Sequence, residues 1–127
     1  MKALVFAVVA IAATIPTAQA QDLAAGEQSF RKCMPCHRIG PEARNIIGPE
    51  LNGLDGRKSG TVAGFQYSDA NKKAELTWSA ATFADYIQNP IAKMPGTKMA
   101  FAGIKNEKEI ADLWAYLAQF KEDGSKK

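Results

Sequence analysis

Both cysteines and the single histidine of this 127-residue chain lie in one stretch, Cys33-Met34-Pro35-Cys36-His37. Sulfur and imidazole at that spacing can bind a metal, run dithiol redox chemistry or anchor a macrocycle. Zinc lacks ligands, because a structural site takes four and these three groups have no second cluster to join. A periplasmic thiol-disulfide oxidoreductase would place its Cys-x-x-Cys pair ahead of a helix, whose N-terminal field lowers the thiol pKa, yet here the pair follows a helical pattern. A plain disulfide leaves the histidine without a role. Covalent attachment of haem uses all three side chains: each thiol forms a thioether with a vinyl group, and the adjacent imidazole reaches the iron from one axial side.

The opposite axial position separates electron transfer from chemistry on bound molecules. A methionine sulfur closes the site and raises its potential, whereas an open face would suit a haem peroxidase or a ligand-binding haem protein. Met34 sits within the attachment turn, which leaves Met94 and Met99, and spacing does not choose between them.

Residues 1–20 combine Met1-Lys2, an apolar run from Ala3 to Ile15, Pro16 and the triplet Ala18-Gln19-Ala20, the pattern of a secretory signal peptide cleaved before Gln21. The run is shorter than the roughly 20 residues of a membrane-spanning helix. Residues 21–127 then form a single domain in the periplasm, large enough for only a modest core of its own. A net charge of +3 with scattered lysines argues against a nucleic-acid-binding arm.

The elements that must position the motif are helical. Asp22 caps a first helix with Leu23, Phe30 and Cys33 at helical spacing, and Asn106 with Glu109 opens a terminal helix in the manner of a capping box. That last helix carries Ile110, Leu113, Trp114 and Leu117 on one face. Ser79 caps a helix presenting Phe83, Tyr86 and Ile87, ended at Asn89 by Pro90, and Ser68 caps a short turn over 69–73. No run alternates with period two, so no strand is predicted. Between Gly40 and Tyr67 glycine and proline recur too often for a long element, and a loop of that length fits a compact domain if it wraps a large apolar group. Lys121 to Lys127 reads as a frayed polar tail.

Around the attachment motif, the segments IGPELNGLDGRKSG, GFQYSDANKK, TW, YIQNP and MPGTKMAFAGIK follow in an order that resembles class I cytochromes c. The likeness is strongest to the bacterial periplasmic cytochrome c2 type, itself similar to mitochondrial cytochrome c, and spans essentially all of Gln21 to Phe120.

The resemblance implies an all-α small cytochrome c fold, with N- and C-terminal helices packed through Gly26, Phe30, Leu113 and Tyr116 and long loops wrapping one haem c. Cys33 and Cys36 would attach the haem, and His37 and Met99 would be its axial ligands. The Pro49 carbonyl would fix the His37 ring. Arg57, Tyr67 and Trp78 would hold a buried propionate, Asn71, Tyr86 and Thr97 would form a polar network on the methionine side, and Phe101 would close the crevice. The implied function is that of a soluble, monomeric single-electron carrier rather than an enzyme. Its implied partners are membrane-bound redox complexes: a bc1-type donor, and a terminal oxidase or photosynthetic reaction centre as acceptor. Lys32, Lys58, Lys93, Lys98 and Lys105 are candidates for a basic docking rim. Glu50, Asp55 and Asp69 reduce the positive charge relative to strongly basic relatives, and Ser68 stands where threonine is common.

Overall fold

The computed structural model describes residues 2–5, 7–13 and 21–127. Within the leader, Leu4, Val5, Val8, Val9 and Ile11 are each at least 80% exposed, so these five residues take no part in the core. Pro16 and the expected cleavage triplet ending at Ala20 lie outside the described residues.

Five helices follow: α1 (Leu23–Phe30), α2 (Asp69–Lys73), α3 (Ala80–Ile87), α4 (Pro90–Lys93) and α5 (Glu107–Ala118). No strand occurs among the described residues, only isolated antiparallel bridges at Lys58–Thr77 and Phe120–Lys126. α1 and α5 cross at Gly26, where a Cβ would collide with the Asp112 carbonyl and the Tyr116 Cβ; glycine is required for the backbones to approach so closely. Phe30 stacks on Tyr116 with centroids 5.6 Å apart, and Leu113 and Leu117 are almost wholly buried. Polar ties fix the register of this seam. The Asp22 amide donates to Asp112 Oδ1 at 2.9 Å, and the Ser29 hydroxyl donates to Glu109 Oε1 at 2.9 Å.

The caps explain the boundaries. Asp22, Ser68, Ser79, Asn89 and Asn106 each accept from the backbone N–H three residues on. Ser79 and Thr82 form a reciprocal capping box. Four expectations need correction. The first helix stops at Phe30, short of Cys33, and the chain continues as turns held by Cys33 N–H to Phe30 O and His37 N–H to Cys33 O, both 2.8 Å. α3 ends at Ile87, ahead of Asn89, and Pro90 starts α4, because proline at the first helical position loses no intrahelical bond. Glu109 is recruited by Ser29 and Lys32 across the seam, while the Asn106 side chain caps α5 by itself. Finally, the C-terminal tail is not frayed. Lys121 N–H donates to Ser125 O and Lys127 N–H to Gln119 O, both 2.8 Å, and Gly124 is buried against the Gly40 carbonyl.

The glycine-rich segment between Gly40 and Tyr67 gains its order from side chains. Asn52, buried, accepts from Gly40 N–H and donates to Gly40 O, both at 2.8 Å, so one amide pins the two ends of a loop. Further on, Gly56 N–H to Trp78 O, Trp78 N–H to Arg57 O and Ser59 N–H to Leu76 O, each 2.8 Å, zip residues 56–59 against 76–78. That pairing brings Arg57 beside Trp78.

Candidate functional site

Cys33 and Cys36 are free thiols, both half-buried. Burial, with the neighbouring Cys36 and Glu109 adding to it against the pull of Lys32, pushes the Cys33 thiol up to about 11. A thiol held so far from ionisation is poorly suited to dithiol exchange, where the thiolate is the nucleophile.

His37 is 9% exposed and its Nδ1 lies 2.7 Å from the Pro49 carbonyl oxygen. A carbonyl only accepts, so the proton sits on Nδ1 and the Nε2 lone pair is available to a metal. Burial lowers the pKa of the ring, against the opposing effect of the Pro49 bond, and Arg57 lowers it further. The neutral imidazole that metal ligation requires is therefore the favoured form. Gly48 lies flat against the ring: a Cβ there would stand 2.5 Å from Cε1 and 2.8 Å from Nδ1 of His37. Its N–H donates to Cys36 O at 2.7 Å, so one glycine both seats the imidazole and ties down the cysteine turn. Sequence reasoning gave Gly48 no such part.

A second group gathers around Met99, which is half-buried in the loop after α4. The Tyr86 hydroxyl donates to Met99 Sδ at 3.2 Å, Met99 N–H donates to Thr97 Oγ1 at 3.2 Å, and Asn71 Nδ2 donates to Thr97 Oγ1 at 3.3 Å. α3 supplies Tyr86 and α2 supplies Asn71, itself tied to Ser68 Oγ at 3.1 Å. Burial raises the Tyr86 phenol, offset in part by Thr97, so it stays a donor across the physiological range. Met94 differs: it is 4% exposed and belongs to the hydrophobic core. Phe101 is half-buried and packs against that core.

The third group centres on Arg57. Its Nη1 donates to Glu50 O at 3.1 Å and to Asn52 O at 2.9 Å, and Glu50 Oε1 is 3.7 Å away. Burial lowers the pKa of Arg57, while Tyr67, Glu50 and Glu122 favour its charge. Trp78 meets the Tyr86 ring edge-on with centroids 5.0 Å apart. Tyr67 turns to its own loop, accepting from Val62 N–H at 3.0 Å and meeting Phe65 edge-on. Ten of the twelve predicted residues thus form three groups: the attachment turn with Pro49, the Met99 network, and the Arg57 corner with Trp78, while Tyr67 turns to its own loop and Phe101 packs on the core. Among the described residues the backbone bond from Trp78 N–H to Arg57 O is the one direct hydrogen bond among Arg57, Tyr67 and Trp78, and their side chains do not bond to one another.

Two free thiols, an imidazole with its Nδ1 proton committed and a glycine seating that ring make a donor set suited to a covalently held porphyrin. The cytochrome c family model matches residues 23–121. The chain belongs to the cytochrome c family. It is 56% identical over 127 residues to cytochrome c2 of Blastochloris viridis, covering all of both chains. It is 66% identical over 107 residues to a cytochrome c2 of Rhodoplanes tepidamans, covering 84% of this chain and all of that one. Among solved structures, cytochrome c2 from Rhodospirillum centenum superposes with a TM-score of 0.73 at 38% identity, over 79% of this chain and 98% of that one. As a cytochrome c of this type, the protein is an electron carrier with one covalently attached haem c, and Cys33 and Cys36 are its only cysteines.

Proposed function

We propose that the protein is a soluble periplasmic shuttle that passes single electrons between membrane-bound redox complexes, with His37 and Met99 as the axial ligands of its haem. When bound, the haem supplies one-electron chemistry between ferric and ferrous iron. This chain's residues do the rest. Pro49 orients His37 and strengthens it as a donor, and Tyr86 and Thr97 hold the Met99 loop in place. Arg57, carrying a charge the corner keeps partly buried, faces the chemistry of a haem carboxylate. With His37 and Met99 both holding the iron, no coordination site would stay open, which favours a carrier over a peroxidase.

The Tyr86–Met99 bond is the observation that carries this reading: a buried phenol aimed at one sulfur supports Met99 rather than Met94, which lies in the core. The exposed apolar leader supports export, since residues that pack against nothing can be removed without cost to the fold. No helix among the described residues is long and apolar enough to cross a membrane.

For docking, Lys58 and Lys98 are exposed and make no ion pair among the described residues, whereas Lys32 pairs with Glu109 and Lys93 with Asp85. Lys105 caps the carbonyl of Gln88. Among the described residues, Lys58, Lys98 and Lys105 are thus the members of the basic rim that no carboxylate pairs, and Lys58 and Lys98 are also free of a carbonyl partner, which leaves them for an acidic patch on a bc1-type complex, an oxidase or a reaction centre.

The decisive experiment expresses the full chain in a host with haem-attachment machinery and records intact mass and spectra of oxidised and reduced protein. A mass of the polypeptide from Gln21 plus one haem, with a low-spin spectrum in both states, is the expected result. A bare polypeptide, or a high-spin site that binds added ligands at once, would overturn the proposal.

A further inference from the structure

Glu50 is an acid placed against the cation of the redox site, and its position is built rather than incidental. Its Oε2 accepts from Asn52 N–H at 2.6 Å, its own N–H donates to Asn45 Oδ1 at 2.9 Å, and its carbonyl accepts from Arg57 Nη1 at 3.1 Å. Those three bonds hold Oε1 at 3.7 Å from the same Nη1, and the two side chains are only 13% and 22% exposed. One guanidinium nitrogen thus faces two carbonyls and a carboxylate, all from residues 50–52.

We propose that Glu50 is a positioning and tuning residue for electron transfer, its carboxylate dividing the charge of Arg57 with the haem carboxylates and so setting the reduction potential. This rests on the haem-binding reading above. A negative charge at this corner favours the ferric state, and full release of Arg57 favours the ferrous state. Replacing Glu50 by a neutral residue does both, in the same direction. The other charged and titratable groups facing this corner are Tyr67, whose phenol feels both Arg57 and Glu50, and Glu122 of the C-terminal tail, which acts on Arg57.

The test is a potentiometric titration of the haem-loaded protein at neutral pH, comparing wild type with Glu50→Gln and Asp55→Asn. Glutamine keeps an acceptor for Asn52 N–H, so the loop stays capped. Asp55→Asn removes the same unit of charge from an exposed pair with Lys127, 3.5 Å apart. The expected result is a higher potential for E50Q than for wild type at neutral pH. D55N should follow the wild-type curve. An E50Q curve superimposed on wild type, or a D55N shift equal to that of E50Q, would overturn the proposal. Either result would leave the carrier function standing. Failure of the haem-binding reading is separately visible as a protein with no redox-active absorption at all, and it would take this inference with it.

Discussion

The Tyr86 hydroxyl donates a hydrogen bond to Met99 Sδ at 3.2 Å. A donor on sulfur withdraws electron density from it, and a less electron-rich ligand favours ferrous over ferric iron. Tyr86→Phe is therefore expected to lower the reduction potential while leaving the fold intact, because the ring keeps its edge-on contact with Trp78. Equilibrium redox titration measures this directly, and an unchanged or higher potential would count against the role of the bond.

The two downstream methionines should separate cleanly. Met99→Ala is expected to give a high-spin site of lower potential that accepts added ligands. Met94→Ala should leave spectrum and potential alone and destabilise the fold by about 2–5 kcal/mol, the cost of emptying a buried core position. Spectra, redox titration and denaturant melts of both variants distinguish the roles, and swapped outcomes would assign the sulfur ligand to Met94.

Gly48→Ala is expected to tilt the His37 ring off the Pro49 carbonyl, since the new methyl would occupy space within 2.5–3.0 Å of three ring atoms. Lower potential and weakened low-spin character are the expected signs, read by absorption and redox titration. A variant with wild-type spectra and potential would show that the ring can slide without consequence.

Acid should loosen the seam between the first and last helices. The Asp22 N–H, then Lys108, hold the Asp112 carboxyl below the usual aspartate range. A folded pKa below the unfolded one means that the contribution is complete above about pH 4 and disappears as pH falls through the depressed folded value. Asp112→Asn should therefore be less stable than wild type at pH 7, and the gap should narrow towards pH 2. Thermal melts across that range check the sign.

Docking onto an acidic partner should slow as salt rises, and Lys98→Ala should weaken that dependence more than Lys93→Ala, whose ammonium already faces Asp85 at 2.8 Å. Stopped-flow association at several ionic strengths gives the comparison. Rates indifferent to salt would remove electrostatic steering from the account.

Much of the frame was legible because it rests on local rules. Asp22, Ser68, Ser79 and Asn106 are capping residues by type and position, and the apolar stripe Ile110, Leu113, Trp114 and Leu117 has one face to bury. The small cytochrome c fold was implied by the resemblance of the motif segments to class I cytochromes c, and the family match and structural neighbours agree with it. The parts that escaped depend on partners distant in sequence. Glu109 could have capped its own helix, and only the proximity of Ser29 and Lys32 diverts it. The tail looked polar and free because nothing in Lys121 to Lys127 announces that Gly124 fits under Gly40. Gly48 and Glu50 flank Pro49, yet their contacts with His37 and Arg57 are tertiary facts that no spacing encodes.

The clasp at Gly26 and Asp112 joins residues near the two ends of the folded chain, so nearly everything between them hangs as one closed circuit. Mechanical or chemical stress that parts those two helices opens the whole circuit together, the glycine-rich loops having little apolar area with which to stand alone. Rupture should accordingly be abrupt, with the segment carrying His37 and the segment carrying Met99 released in the same event.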